Sequence, residues 1–290
     1  MNLLTKAPRF AALAWLSTAM AFGLASPGLA ADFDYPISVA VADDGTVYVG
    51  DLNMPGVRKI SPDGTLSTYF AASKKFRTPL NRVRCLAIDH EGKLLAGDTS
   101  TRQVYRFNAE GVPEPLLKGL GIGMPMAIAV APTGEIYVAD LELHRIWSVP
   151  AEGGEAAMFV EVPAPRGLAL DKQGNLWVSS HGRDVQLVKI TLADKKVEPI
   201  VKERLFDFQH NVTLDESGNA YVADGYAKTI WKIAPGGKPE KWITGEPLVN
   251  PVGLAWKGTA LLIADPRAYT IFQATPEGKV SQYPYRVGGE

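Results

Sequence analysis

One pattern occurs six times in this chain, and it limits the fold more than any other feature. Each copy opens on a short apolar or small-residue segment: Ser38-Val39-Ala40, Cys85-Leu86-Ala87, Ala127-Ile128-Ala129, Gly167-Leu168-Ala169, Asn211-Val212-Thr213 and Gly253-Leu254-Ala255. A turn glycine follows each one: Gly45, Gly92, Gly134, Gly174, Gly218 and Gly258, at intervals of 47, 42, 40, 44 and 40 residues. A second apolar segment then ends at Asp51, Asp98, Asp140, Ser180, Asp224 or Asp265. Repeats of this length must stack or close into a ring, because one copy cannot bury its own apolar faces.

Each unit also supplies a third and a fourth strand. In the third unit these are Arg145–Val149 and Ala157–Val160; in the fifth they are Thr229–Ile233 and Lys241–Ile243. Turns such as Pro62-Asp63-Gly64 and Pro235-Gly236-Gly237 separate them, with residues that tolerate the positive φ of a tight hairpin. Four short strands in about forty residues predict a propeller blade. The expected architecture is all-β: a six-bladed β-propeller with four antiparallel strands per blade and the first strand innermost. Two ring closures stay open. The sixth blade supplies its own fourth strand from Lys279 to Tyr283, or Asp32–Tyr35 adds to it.

Residues 1–30 read differently. Lys6 and Arg9 precede an apolar stretch from Phe10 to Leu24, and Gly28-Leu29-Ala30 supplies small residues. This predicts a secretory signal peptide cleaved near Ala30, and hence a periplasmic or secreted domain over residues 31–290; the rival reading is an uncleaved anchor. No later stretch is long and apolar enough to span a membrane. Without Lys6 and Arg9 the chain has 28 basic and 31 acidic residues, which does not suit a nucleic-acid partner. The single cysteine, Cys85, lies in the apolar run Cys85–Ile88 and reads as a buried core residue.

Loops joining strands two to three, and one blade to the next, share a face and vary in length, so the site is expected there. The residue before each aligned small position should ring the channel mouth: Ile37, Arg84, Met126, Arg166, His210 and Val252. Two arginines and a histidine at one opening suit a small anion or an oxygen-rich ligand. The competing view has Arg84 and Arg166 paired with strand-end aspartates as a structural plug. Those aspartates recur in almost every blade, so they should serve the repeat by accepting backbone N–H bonds. Tyr226 and Arg267 lie on the second-to-third-strand loops of blades five and six, with His144 and His181 on those of blades three and four. The connection from Ala72 to Arg84 carries Lys74, Lys75, Phe76, Arg77 and Arg82, and reads either as an anion-attracting lid or as a solvated loop.

The segments Pro165-Arg166-Gly167-Leu168-Ala169-Leu170-Asp171 and Asn211-Val212-Thr213-Leu214-Asp215, each followed by a Gly-Asn turn and a second strand, resemble NHL repeats. The resemblance extends to the wider superfamily of gluconolactonase/regucalcin-like lactonases, strictosidine-synthase-like proteins, streptogramin lyase and peptidyl-hydroxyglycine amidating lyase. For the lactonases it implies a divalent metal held by Glu, Asn and Asp of the inner ring. Here His210 stands where such an Asn would be, Asn211 follows it, and Tyr35-Pro36-Ile37-Ser38 lacks the Glu. For the amidating lyase it implies zinc held by ring histidines, of which this chain supplies His210 alone; three protein ligands are the usual set. A calcium or zinc site resting on His210 and Asn211 is therefore incomplete. Asp224-Gly225-Tyr226 resembles a segment of the lyase whose Tyr is catalytic; the competing reading of Tyr226 is a rim aromatic that serves as contact surface.

Two functions are carried forward. One is binding, without chemistry, of a small anionic or polar molecule or a protein partner, with Arg84, Arg166, His210, Asn211 and Arg267 as contacts. The alternative is a lactonase-like hydrolase or lyase. In it His210 is base or metal ligand, Arg84 and Arg166 orient the substrate, and Tyr226 donates a proton.

Overall fold

The computed structural model describes residues 32–75, 77–119 and 122–288. The expected leader and Phe76 lie outside the described residues. Within them the chain forms twenty-five strands and no helix, hence no helix able to cross a membrane.

Six antiparallel sheets each run in sequence order from an inner strand outward. The inner strands are Pro36–Val41, Val83–Ile88, Pro125–Val130, Pro165–Leu170, Gln209–Leu214 and Gly253–Lys257. Second strands such as Leu94–Asp98, Ile136–Asp140 and Ala220–Asp224 are buried at every position. This explains their unbroken apolar runs: each is paired on both edges and covered on both faces by neighbouring blades. The core accordingly lies between blades. Tyr137, Ile146 and Phe159 of the third blade pack with Leu168, Leu176 and Val188 of the fourth. The chain is a six-bladed β-propeller, as the repeat demands.

The sixth blade supplies its own fourth strand, Val280–Gln282, a shorter piece than Lys279–Tyr283. Closure then comes from the other end of the chain: Arg286–Val287 pairs in parallel with Thr65–Leu66 on the outer edge of the first blade. Asp32–Tyr35 forms no strand. Instead the N–H groups of Asp34 and Tyr35 donate to the Asp51 carboxylate, and Phe33 is fully buried among residues of blades one and six.

The five strand-end aspartates are completely buried, and each gathers backbone donors. Asp140 accepts from the N–H groups of Gly123, Met124, Glu142 and Leu143 and from Trp147 Nε1. Asp224 accepts from Asp207, Phe208 and Trp231 Nε1, and Asp265 from Val249, Asn250, Arg267 and Ala268. Each carboxylate thus ties the incoming connection to the second-to-third-strand loop of its blade. These residues belong to the scaffold.

Blade four departs from the rule for a visible reason. Where the other blades present two N–H donors, this one has Pro163, which has none, and Ala164, whose N–H goes to His144 Nδ1. The free group is the Pro163 carbonyl, and Ser180 Oγ donates to it. A serine fits where an aspartate would find no donors from the incoming connection and only the Gly182 N–H of its own loop.

Candidate functional site

The inner strands line a central channel of about 380 Å³ whose walls include Arg84, Met126, Arg166, His210 and Asn211. The ring position read from sequence has a specific backbone cause. In blade one Pro36 pairs with Asp51 and Ser38 with Gly50, so Ile37 is skipped. The same register break skips Arg84, Met126 and Arg166, and in blade five it skips both His210 and Asn211. A bulge residue escapes the strand's strict alternation and can be re-aimed. In five blades the mouth is built from bulge residues, on a ring whose other positions are committed to packing.

Arg84 and Arg166 are half-buried, and among the described residues neither forms an ion pair or donates a guanidinium hydrogen bond to the protein. Arg166 Nε is buried without a partner. The structural-plug view required pairing with the strand-end aspartates, but those carboxylates are filled by backbone donors. Burial, then the neighbouring Arg84 charge, pulls the Arg166 pKa below its ordinary value; burial, then Arg82, does the same for Arg84. An anion between the two would relieve both effects.

His210 sits beside them as a neutral base. Burial of the ring, then the charges of Arg166, His181 and Arg84, pushes its pKa down to about 3. Its backbone is fixed from blade four, where Ser179 Oγ donates to the His210 carbonyl. Gly225 of its own blade lies so close that a Cβ there would stand 3.1 Å from His210 Nε2 and 2.5 Å from Asn250 Oδ1. A side chain at 225 would clash with Asn250 Oδ1 and press on the imidazole.

Phe208, which sequence reading missed, organises this cluster. The Arg166 guanidinium lies over its ring at 4.8 Å. Tyr226 stacks on it at 4.6 Å with planes 20° apart. His181 and His210 meet it edge-on at 4.5 and 5.0 Å. A neutral ring therefore positions the Arg166 charge without occupying its donors. A signal for Phe208 existed. The residue two before each mouth position is Tyr35, Arg82, Met124, Ala164, Phe208 or Asn250, and all but Ala164 donate their N–H to a strand-end aspartate. That register defines a second ring just outside the first.

The other candidates fall into place around this cluster. Asn211 lines the channel, its Oδ1 accepting from the Val212 N–H. Tyr226 is 60% exposed on the rim and does not line the channel. Arg267 is exposed on the rim of blade six, away from the channel wall. His181 Nε2 is engaged with the Gln209 carbonyl at 2.6 Å, and His144 with Ala164. Among the described residues no group of three or more His, Cys, Asp or Glu side chains is arranged to hold a metal ion. Cys85 is inert: burial pushes its thiol up to about 12.

Repeat, blade count and closure define a six-bladed propeller whose repeats resemble the NHL type. A family profile described as the Teneurin NHL domain matches residues 28–118. Teneurin-3 of Mus musculus is 31% identical over 146 residues, which is 49% of this chain and 5% of that protein. Teneurin-1 of Homo sapiens is 29% identical over 143 residues, again 49% of this chain and 5% of its own length. The chain thus spans about a twentieth of the curated relatives it matches. Along most of its length it shares a fold with a gluconolactonase from Xanthomonas campestris (TM-score 0.70, 17% identity, 84% of this chain and 87% of that one). It does so too with virginiamycin B lyase from Staphylococcus aureus (TM-score 0.67, 18% identity, 88% and 86%). At these identities the likeness is one of fold.

Proposed function

We propose that this protein is an exported propeller that binds a small carboxylate- or phosphate-bearing molecule at its channel mouth. One observation carries the reading: two half-buried arginines line one opening and, among the described residues, no carboxylate pairs with them, in a chain whose net charge is −1. Guanidinium donors left open in a partly desolvated site are matched by an anion with planar oxygen pairs. Neutral His210 adds a donor or acceptor according to tautomer, and Ile37, Met126 and Val252 add apolar contact. The leader motif supports export, and amino-terminal sequencing of the mature protein tests it by looking for a start at Ala31. Thermal melting with citrate, sugar acids and phosphates tests the site. At least one such anion should raise the midpoint, and Arg166→Ala and Arg84→Ala should each abolish the rise. If none of these anions shifts the wild-type protein, the reading is wrong.

A second reading is favoured by the state of His210. The imidazole is kept neutral beside two cations, and a carboxylate substrate held by Arg84 and Arg166 would offset the charges that lower its pKa, raise its basicity and present its reacting carbon to it. Lactone hydrolysis or lyase-type elimination are the corresponding reactions, and fold neighbours include a gluconolactonase and a streptogramin lyase. Turnover of a lactone panel that disappears in His210→Gln while anion binding persists would establish it. Absence of turnover leaves the binding function alone.

A further inference from the structure

The face around the mouth carries a second, larger asymmetry. Among the described residues, six exposed large apolar side chains stand on this face: Met124, Leu143, Leu205, Tyr226, Val249 and Tyr269. Four of them, Leu205, Tyr226, Val249 and Tyr269, occupy consecutive loops from the junction of blades four and five round to blade six. Across the channel, the connection between blades one and two carries Lys74, Lys75 and Arg82, all exposed and, among the described residues, none in an ion pair. In a six-membered ring the junction of blades one and two lies opposite that of blades four and five. A basic arc and an apolar arc therefore face each other over the mouth. The short turns of the opposite face are acidic by contrast, with Asp43, Asp44, Glu91, Glu110 and Glu152.

We propose that this face receives an acidic polypeptide segment lying across the channel. Its carboxylates meet Lys74, Lys75 and Arg82, and its aromatic or aliphatic side chains rest on Leu205, Val249 and Tyr269. Exposed apolar groups on successive loops of one face, beside a charged arc, suit a docking surface, and the charge selects the partner. A nucleic-acid strand fits less well. Its charge is continuous, whereas the apolar half is mixed in sign, with Asp184, Glu203, Asp207 and Glu246 interspersed among Arg183, Lys202, Arg204, Lys228 and Arg267, all exposed. A polypeptide can place acids on one side and apolar groups on the other. The inference extends the anion-binding reading from the mouth to the surface around it, and the two can fail separately.

The test uses fluorescence anisotropy with a short labelled peptide alternating glutamate and phenylalanine, and thermal melting with citrate as the small-anion probe. The peptide should bind the intact protein. Lys74→Gln/Lys75→Gln/Arg82→Gln should weaken it by about tenfold. Val249→Ser/Tyr269→Ser should weaken it similarly, by roughly tenfold. Both variants should keep the citrate response, which reports the fold as well as the mouth. No binding of this peptide, equal binding of a glutamate–serine peptide or of an oligonucleotide of equal charge, or indifference to both variants, overturns the proposal. Peptide binding that survives in Arg166→Ala, together with loss of the citrate response, supports the face as a site in its own right. A missing citrate response in the wild type removes the mouth reading and leaves the peptide result to decide the face.

Discussion

The strand-end aspartates and the mouth residues are two rings built by the same six blades, and they are opposite in almost every physical respect. The aspartates are nearly identical from blade to blade, fully buried, and saturated with donors. The mouth residues differ in every blade except for the shared arginine of blades two and four, and among the described residues their cations have no hydrogen-bond acceptor. The rings are also adjacent in register: Val83 pairs with Asp98, and Arg84 is the bulge residue that follows. Repetition marks what the fold needs, and departure from repetition marks what the fold is free to use. Blade four illustrates the rule, because its missing aspartate is explained by a local loss of donors at Pro163 rather than by function.

Breaking the scaffold ring should have the largest effect. Asp140→Ala would strand four backbone N–H groups and the Trp147 indole in a buried site. We expect a loss of about 3–5 kcal/mol in urea unfolding, since each orphaned donor is costly and this residue serves several. A loss below about 1 kcal/mol would show that the carboxylate is not what holds the connection. Ser180→Asp should cost somewhat less, about 2–3 kcal/mol, because it places a charge against the Pro163 carbonyl with Gly182 N–H as its only evident backbone donor. If Ser180→Asp stabilises blade four, the donor argument fails.

The scaffold was legible because it repeats. Six turn glycines and five aspartates fixed blade number, strand order and the register that places Ile37, Arg84, Met126, Arg166 and His210 at one opening. Ring closure was not legible, because the Arg286–Val287 strand is two residues long and pairs with a strand more than two hundred residues away. Nor was the position of Arg267 on the rim, since distance from the axis depends on loop height; for Tyr226 the rim reading was available and is where the residue stands. The contact between Phe208 and Arg166 escaped for a different reason. It joins two blades through side chains on non-equivalent positions, and no repeat pattern encodes such a pair.

Titration sharpens the contrast from the side of the mouth. His210 and His181 both have folded-state pKa values below the usual histidine range, with burial the first cause in each. A lowered pKa means the unfolded chain binds protons that the folded chain refuses. The stabilising contribution is therefore fully present above the unfolded value near 6.5 and is lost as pH falls toward the folded value, about 3 for His210. Stability should drop on acidification below that upper bound, with a slope of up to about 1.4 kcal/mol per pH unit per histidine. His210→Gln should flatten the profile between those limits. A profile unchanged by this substitution would mean that the imidazole is not enclosed as described. A bound anion should oppose the effect, because it removes the Arg166 and Arg84 repulsion that helps keep His210 neutral.

The smallest expected effect is the most discriminating. Phe208 does not itself line the channel, yet two residues that do, Arg166 and His210, rest on its ring together with Tyr226 and His181. If it positions Arg166, Phe208→Leu should leave overall stability within about 1 kcal/mol while weakening anion binding by roughly fivefold, the scale of one cation–ring contact. Phe208→Tyr keeps the ring face and should restore binding, whereas Leu keeps only the bulk. A packing role predicts the reverse pattern, with stability falling in Leu and binding falling only in proportion to the unfolded fraction. Measuring both quantities in both variants decides whether the second ring, tied down by the aspartates, is what transmits the rigidity of the scaffold to the open charges of the first.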